Sequence, residues 1–218
     1  TYLERDLGVL GFGMGHAAMR RFWTMISHYH GQLWNASEVA GSLGIAPNTA
    51  RSYLDALEQT YMIRRLQPWH GNLGKRLVKT PKLYFRDSGM FHLMQGIASQ
   101  DNLLTHPKLG ASWEGFVVEE ILHALRPPDA YFYAIHSGSE LDLFLPLPGK
   151  RLGIEIKRHD APTLTRSMRI ACDDLLLDEL WVIYPGETEY QLADHVIARP
   201  LRSITGRAAA HFAADGKK

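Results

Sequence analysis

The run Gly138–Lys157, GSELDLFLPLPGKRLGIEIK, sets Glu140, Asp142, Glu155 and Lys157 at even spacing within two apolar segments that PLPGK separates. Strand side chains alternate faces. A turn centred between Pro148 and Gly149 therefore puts Asp142 opposite Glu155 and Glu140 opposite Lys157, with Leu141, Leu143, Ile154 and Ile156 on the other face. Directly opposed residues have Cβ atoms about 4.5–5.5 Å apart, where like charges are destabilising. The Asp–Glu pair requires solvent screening, a proton held on one carboxylate, or a cation between the two. For the third option a hard divalent ion is suited: Mg²⁺ takes one or two carboxylates and completes its octahedron with water and substrate phosphate. Such an ion would polarise a phosphoryl oxygen and acidify a bound water, while the Lys157 ammonium would position the nucleophile and balance charge in the transition state. The same alternation also describes the wet face of an ordinary hairpin, and a one-residue slip would break the pairing while leaving 155 and 157 on one side.

These residues need elements to hold them. GASWEGFVVEEILHAL reads as an amphipathic helix over about 112–125, ended by RPP. Strand-like segments follow at 131–135, 141–145 and 152–156, then a helix around 164–175, then the strand-like ELWVIYP and HVIARPL. Helix, three strands, helix, strands is an α/β plan with its own core. Upstream, AAMRRFWTMISHY has apolar residues at helical spacing over 17–29. A short helix over about 37–43, a turn at Gly44 and a second helix over about 47–60 then make a helix-turn-helix layout, with Ser37 or Asn35 as cap and Pro47 in a first turn. In such a layout the second helix enters the DNA major groove, and Asn48, Thr49, Arg51 and Ser52 in its early turns are the groove candidates.

The next stretch, Ile63–Arg86, reads as two strands around a WHGNLG tip, a β-hairpin wing. It holds seven basic residues, Arg64, Arg65, Lys75, Arg76, Lys79, Lys82 and Arg86, and no acidic one. Phosphate contacts from Arg64, Arg65, Lys75, Arg76 and Lys79 would release counterions and make binding salt-sensitive. Small helix-turn-helix units also serve protein contacts, and basic hairpins also protect sheet edges; the neighbouring recognition helix favours DNA here.

The totals restrict the classes. With 218 residues and 45% hydrophobic content the chain can bury real cores. A net charge of +1 gives no global attraction to nucleic acid, so the local basic run must supply it. The single cysteine, Cys172, excludes an intramolecular disulfide and a Cys-rich zinc site, and reads as a small core residue. No apolar run is long enough to cross a bilayer and no signal peptide is visible, so a cytoplasmic location without membrane contact is the expectation. The first residue is Thr1, so the expectation is that the true N-terminus lies upstream or has been removed. GNLGKR has Trp69 where a P-loop needs its first glycine and Arg76 where it needs Ser or Thr, and the glycines at 8, 11, 13 and 15 miss the G-x-G-x-x-G spacing. ATP binding by this chain is not expected.

Asp142, followed after an interval by the EIK that ends in Lys157, with an acidic helix upstream, resembles the Asp…Glu-x-Lys core of the PD-(D/E)XK nuclease superfamily. GASWEGFVVEEIL is similar to the first helix of its resolvase-like members, which implies a third metal-site carboxylate at Glu114, with Glu120 as second choice. Over roughly residues 1–205, TYLERDL, NTARSYLDALEQTYMIRRL, KTPKLYFRDSGM, GASWEGFVVEEIL, SELDLFLP and GIEIK are similar, in order, to lines of the C-terminal region of prokaryotic AAA+-type ATPases that end in a domain of unknown function. That resemblance implies an upstream ATPase domain, through which alone ATP would act, then a winged helix, then a nuclease-like domain.

The expected architecture is a winged helix-turn-helix domain over 1–95, a restriction-endonuclease-like α/β domain over 110–205 and a flexible tail over 206–218. The expected function is that of a DNA-binding, Mg²⁺- or Mn²⁺-dependent nuclease module with Glu114, Asp142, Glu155 and Lys157 at the phosphodiester, the first three as metal ligands. Alternatives are a non-catalytic adaptor docking DNA or protein to the ATPase, and a plain winged-helix transcription regulator. Oligomerisation is left open.

Overall fold

A computed structural model describes residues 16–71 and 75–205. The TYLERDL line, the glycines at 8, 11, 13 and 15, the centre of the WHGNLG tip and the tail 206–218 lie outside the described residues. The chain is mixed α/β and divides into two compact units. Among the described residues, one holds 16–65 together with Lys82–Ser112; the other holds Leu66–Pro81 together with 113–205.

The first unit opens with α1 (His16–Ser27) and the two-residue β1 (Gln32–Leu33). Met19, Phe22, Trp23 and Ile26 of α1, at the spacing of one helix face, are all buried. Next come α2 (Ala36–Leu43) and α3 (Pro47–Gln59). Asn35 caps α2, its side chain accepting from the backbone N–H of Ser37 and Glu38 at 3.0 and 3.3 Å. Gly44 ends α2 at φ +66°, a left-handed conformation that favours glycine and makes the tight turn. On α3, Ala50, Leu54 and Leu57 are buried, leaving Asn48, Arg51 and Ser52 exposed and Thr49 partly so. β2 (Ile63–Pro68) and β3 (Lys82–Phe85) follow, with β3 between β1 and β2. α4 (Ser88–Met94), capped by Asp87, contributes Phe91 to the core, and α5 (Gln100–Thr105) follows, the unit ending at Ser112 in the first turn of α6 (Leu109–Leu125).

The second unit carries a large mixed sheet. β4 (Tyr131–Ala134), β5 (Glu140–Leu147) and β6 (Lys150–Ile156) form an antiparallel meander; α7 (Arg166–Leu175) then leads to β7 (Glu179–Tyr184), parallel to β6. β8 (Tyr190–Ala193) pairs antiparallel with β9 (Val196–Pro200), which lies parallel to β7. α7 packs Met168, Ala171 and Leu175 onto Tyr133, Phe144, Leu180 and Val182. Gly153 is required by this packing, because a Cβ there would collide with Leu177 and press on Leu141 and Leu180.

The expected wing is corrected by the structure. Its two strands exist as β2 and β3, neighbours in the sheet, but the end of β2 and the chain up to β3, Leu66–Pro81, group with the second unit instead of forming a free basic hairpin. Gln67 and Pro68 pair in parallel with Tyr131 and Phe132, Leu77 bridges Ile135, and Trp69 packs edge-on against Tyr131 and Phe144. An apolar Trp and Leu inside a basic run explain the difference: burying them on a sheet edge outweighs leaving them at a solvated tip.

Candidate active site

The β5–β6 turn has the register its sequence predicts: Leu147↔Lys150 flanks the turn and the ladder runs to Leu143↔Ile154. There the strands part company. The next step would have set Asp142 against Glu155 in the ladder; instead the Asp142 carboxylate accepts the backbone N–H of Ile156 at 2.8 Å, and Glu140 pairs on its other side with Ala134. The β4–β5 pairing shifts register between Tyr131 and Tyr133, a β-bulge beside the same point. Ser167 of α7 holds the start of β5, its hydroxyl accepting from Glu140 N and donating to Glu140 O, each at 2.8 Å.

Glu155 is the penultimate residue of β6, buried at 6% exposed, and its Oε1 accepts from the Lys157 ammonium at 2.5 Å. Lys157 is just past the strand and is fixed through its backbone from two sides. Its N–H donates to Ile183 O of β7 at 2.8 Å, and its carbonyl accepts the Trp113 indole N–H of α6 at 3.1 Å. Burial works against the Lys157 charge, but Glu155, then Asp142 and Glu114, outweigh it and hold the ammonium pKa above its ordinary value. The three carboxylates thus each favour the charged form of Lys157. Glu114, not Glu120, is the α6 carboxylate felt there.

These are hard oxygen donors. Among the described residues no three His, Cys, Asp or Glu side chains stand close enough to hold an ion unaided. Donors of this kind suit a hard divalent ion that keeps most of its waters better than they suit zinc or calcium, which take a fuller protein shell.

The predicted nucleic-acid contacts are dispersed. On α3, Arg51 donates to Asn48 Oδ1 at 2.6 Å, and Ser52 to Asn48 O at 3.1 Å. Arg65 is engaged internally, by Asp55 at 2.8 Å and by Glu58 in a closer contact, and Lys75 by Asp174 at 2.5 Å. Arg64 is half-buried, while Arg76 and Lys79 are exposed. Arg65 and Lys75 are thereby drawn away from the phosphate role expected of them. Sequence reasoning missed Trp113 and Ser167: a Trp on an apolar helix and a Ser in a first turn carry no signal of their distant backbone partners.

Residues 1–101 match a domain of unknown function, DUF8612, and residues 109–204 match another, DUF4143, which is known as a C-terminal region of AAA-type ATPases. Two curated relatives are the uncharacterized proteins Mb2031c of Mycobacterium bovis and Rv2008c of Mycobacterium tuberculosis. Each is 48% identical over 204 residues, covering 94% of this chain and 46% of the relative. The chain thus spans just under half the length of these relatives. No solved structure matches it. Among the described residues no helix is long and apolar enough to cross a membrane.

Proposed function

We propose that this chain is the DNA-handling C-terminal part of an AAA+-type ATPase, and that its second unit is a PD-(D/E)XK nuclease-like centre for phosphodiester hydrolysis. One observation carries the reading: where β5 leaves β6, the Asp142 carboxylate takes the Ile156 N–H and the Glu155 carboxylate takes the Lys157 ammonium, so both carboxylates and the lysine lie at one strand end. The order α6, antiparallel β4–β5–β6, α7, parallel β7 supports the nuclease-like assignment, and α1–β1–α2–α3–β2–β3 supports a winged helix for the first unit.

In this reading Asp142 and Glu155 hold a Mg²⁺ or Mn²⁺ ion, with Glu114 contributing from α6. The ion, when bound, supplies Lewis-acid polarisation of the phosphoryl oxygen and an acidified water. Lys157 keeps its proton at neutral pH, so its ammonium orients the attacking water and offsets charge on the phosphoryl oxygens. α3, through Asn48, Thr49, Arg51 and Ser52, contacts duplex DNA.

The test is incubation with plasmid, branched and single-stranded DNA in Mg²⁺ or Mn²⁺, with Asp142→Ala and Lys157→Ala in parallel. Cleavage by the parent that both variants lose is the expected result; equal cleavage by all three would mean contamination and sink the assignment. The contact of Lys157 with Glu155 favours a second reading, a non-catalytic adaptor whose buried carboxylate is already charge-balanced. For an adaptor, calorimetry would find no divalent-ion uptake that Glu155→Gln removes.

A further inference from the structure

Leu66–Pro81 carries Lys75, Arg76 and Lys79 with no acidic residue, and its place in the second unit changes what these charges can serve. The backbone fixes where they lie. Val78 N–H donates to Ala134 O and His136 N–H to Arg76 O, both at 3.0 Å, with Leu77 bridging Ile135 in antiparallel sense. Residues 76–78 therefore run along the C-terminal end of β4. Ala134 in turn pairs with Glu140, two residues before Asp142, and β5 borders β6, which ends at Glu155 and Ile156. The basic segment, the end of β4, the start of β5 and the end of β6 all lie at one end of one sheet. Three inter-strand steps of about 4.8 Å separate the segment from β6, about 14 Å in all.

Side-chain partners sort the three cations. Lys75 is tied to Asp174, whose carboxylate also accepts from the Tyr133 hydroxyl. Leu77, half-buried against the core around Tyr133 and Ile135, anchors the segment. Arg76 and Lys79, on either side of that anchor, are exposed. Two outward cations on an immobilised edge, at the end of the sheet where the carboxylates lie, complement a polyanionic strand laid across that end.

We propose that Arg76 and Lys79 form a phosphate-binding rim for the nucleic-acid substrate of the second unit, contacting the strand to one side of the phosphodiester that Asp142, Glu155 and Lys157 address. This rests on the phosphodiester reading above. The span from rim to β6, about 14 Å, is short enough for one bound strand to reach both. The basic run thus serves substrate capture by the catalytic unit, and the first unit's grip on DNA depends on α3.

The experiment titrates the intact chain against fluorescent duplex and single-stranded oligonucleotides by anisotropy, in EDTA, over a KCl series. Arg76→Gln/Lys79→Gln is compared with the parent after thermal melting has established that it folds. Its log–log salt slope should fall by about 1.8 on duplex and about 1.4 on single strands, two phosphate contacts' worth. If the parent cleaves in Mn²⁺, the double variant should raise KM and keep kcat, whereas Asp142→Asn should lower kcat. An unchanged salt slope overturns the rim, as does a parent that binds no nucleic acid, which would leave an acidic protein as the occupant. A parent that binds with the predicted rim-dependent slope but cleaves nothing upholds the rim and refutes the nuclease reading.

Discussion

The Lys157 ammonium lies 2.5 Å from Oε1 of Glu155, so the cation of the site rests on the carboxylate that a divalent ion would need. A divalent ion would compete with the ammonium for that oxygen, and a charge-assisted contact of this kind contributes about 1.5–3 kcal/mol. Lys157→Met should therefore bind Mn²⁺ more tightly than the parent, on the order of tenfold, while abolishing any cleavage. Glu155→Gln should bind it far more weakly. Isothermal titration with Mn²⁺ reads both; equal or weaker binding by Lys157→Met would show that the lysine is no competitor.

Trp113 ties α6 to the residue it must face. Its indole N–H meets the Lys157 carbonyl at 3.1 Å, and Glu114 is the next residue on the helix. Trp113→Phe keeps the ring and removes the donor. The expected loss of stability is about 1 kcal/mol, as for one hydrogen bond. The specific consequence is at the site: with residue 157 less firmly held, the Lys157 Nζ pKa, followed by NMR, should fall toward its ordinary value. A pKa identical to the parent's would reduce Trp113 to a packing role.

His30 gives the fold an acid-side weakness. It is 2% exposed, stacks on Phe91 at 4.1 Å and accepts the Phe85 N–H on Nδ1 at 2.9 Å, a role only the neutral ring can fill. Burial pulls its pKa from 6.5 down to about 3. Below 6.5 the unfolded chain takes up a proton that the folded one refuses. The stability owed to His30 is therefore whole above about 6.5 and declines as pH falls toward about 3. The slope is about 1.4 kcal/mol per pH unit. His30→Gln, which retains an acceptor, should flatten the stability curve across that window in urea titrations; a slope equal to the parent's would place the protonation elsewhere.

Much of the architecture was legible because local patterns and long-range packing agree. The apolar spacing of Met19, Phe22, Trp23 and Ile26 demanded a buried helix face, and the PLPGK turn with Gly149 at φ +71° fixed the β5–β6 register. The grouping of Asp142, Glu155 and Lys157 followed from that register, but its detail did not. Alternation assumes an unbroken ladder, whereas the chain leaves the ladder after Leu143↔Ile154 and gives Asp142 the N–H of Ile156. Glu114 enters only through resemblance, since one glutamate on a helix carries no signal of its distant neighbours. The segment Leu66–Pro81 was misread because strand periodicity is the same for a hairpin arm and for a strand added to another sheet, and only the partner distinguishes them.

That segment supplies the last prediction. Trp69 donates its backbone N–H to Phe132 O at 2.7 Å, and its ring lies 5.1 and 5.0 Å from Tyr131 and Phe144, with the Arg151 guanidinium above it at 5.9 Å. A fragment cut at the sequence-based boundary, 110–218, would lack Leu66–Pro81, baring the edge of β4 and one side of the core that Trp69 and Leu77 cover. An uncovered edge strand over an open core favours aggregation. The fragment should therefore fail to unfold cooperatively, and in the intact chain Trp69→Ala should cost about 3 kcal/mol, the low end for truncating a packed aromatic. Equilibrium denaturation followed by circular dichroism decides it. A 110–218 fragment that melts as sharply as the intact chain would show that the second unit does not need the segment.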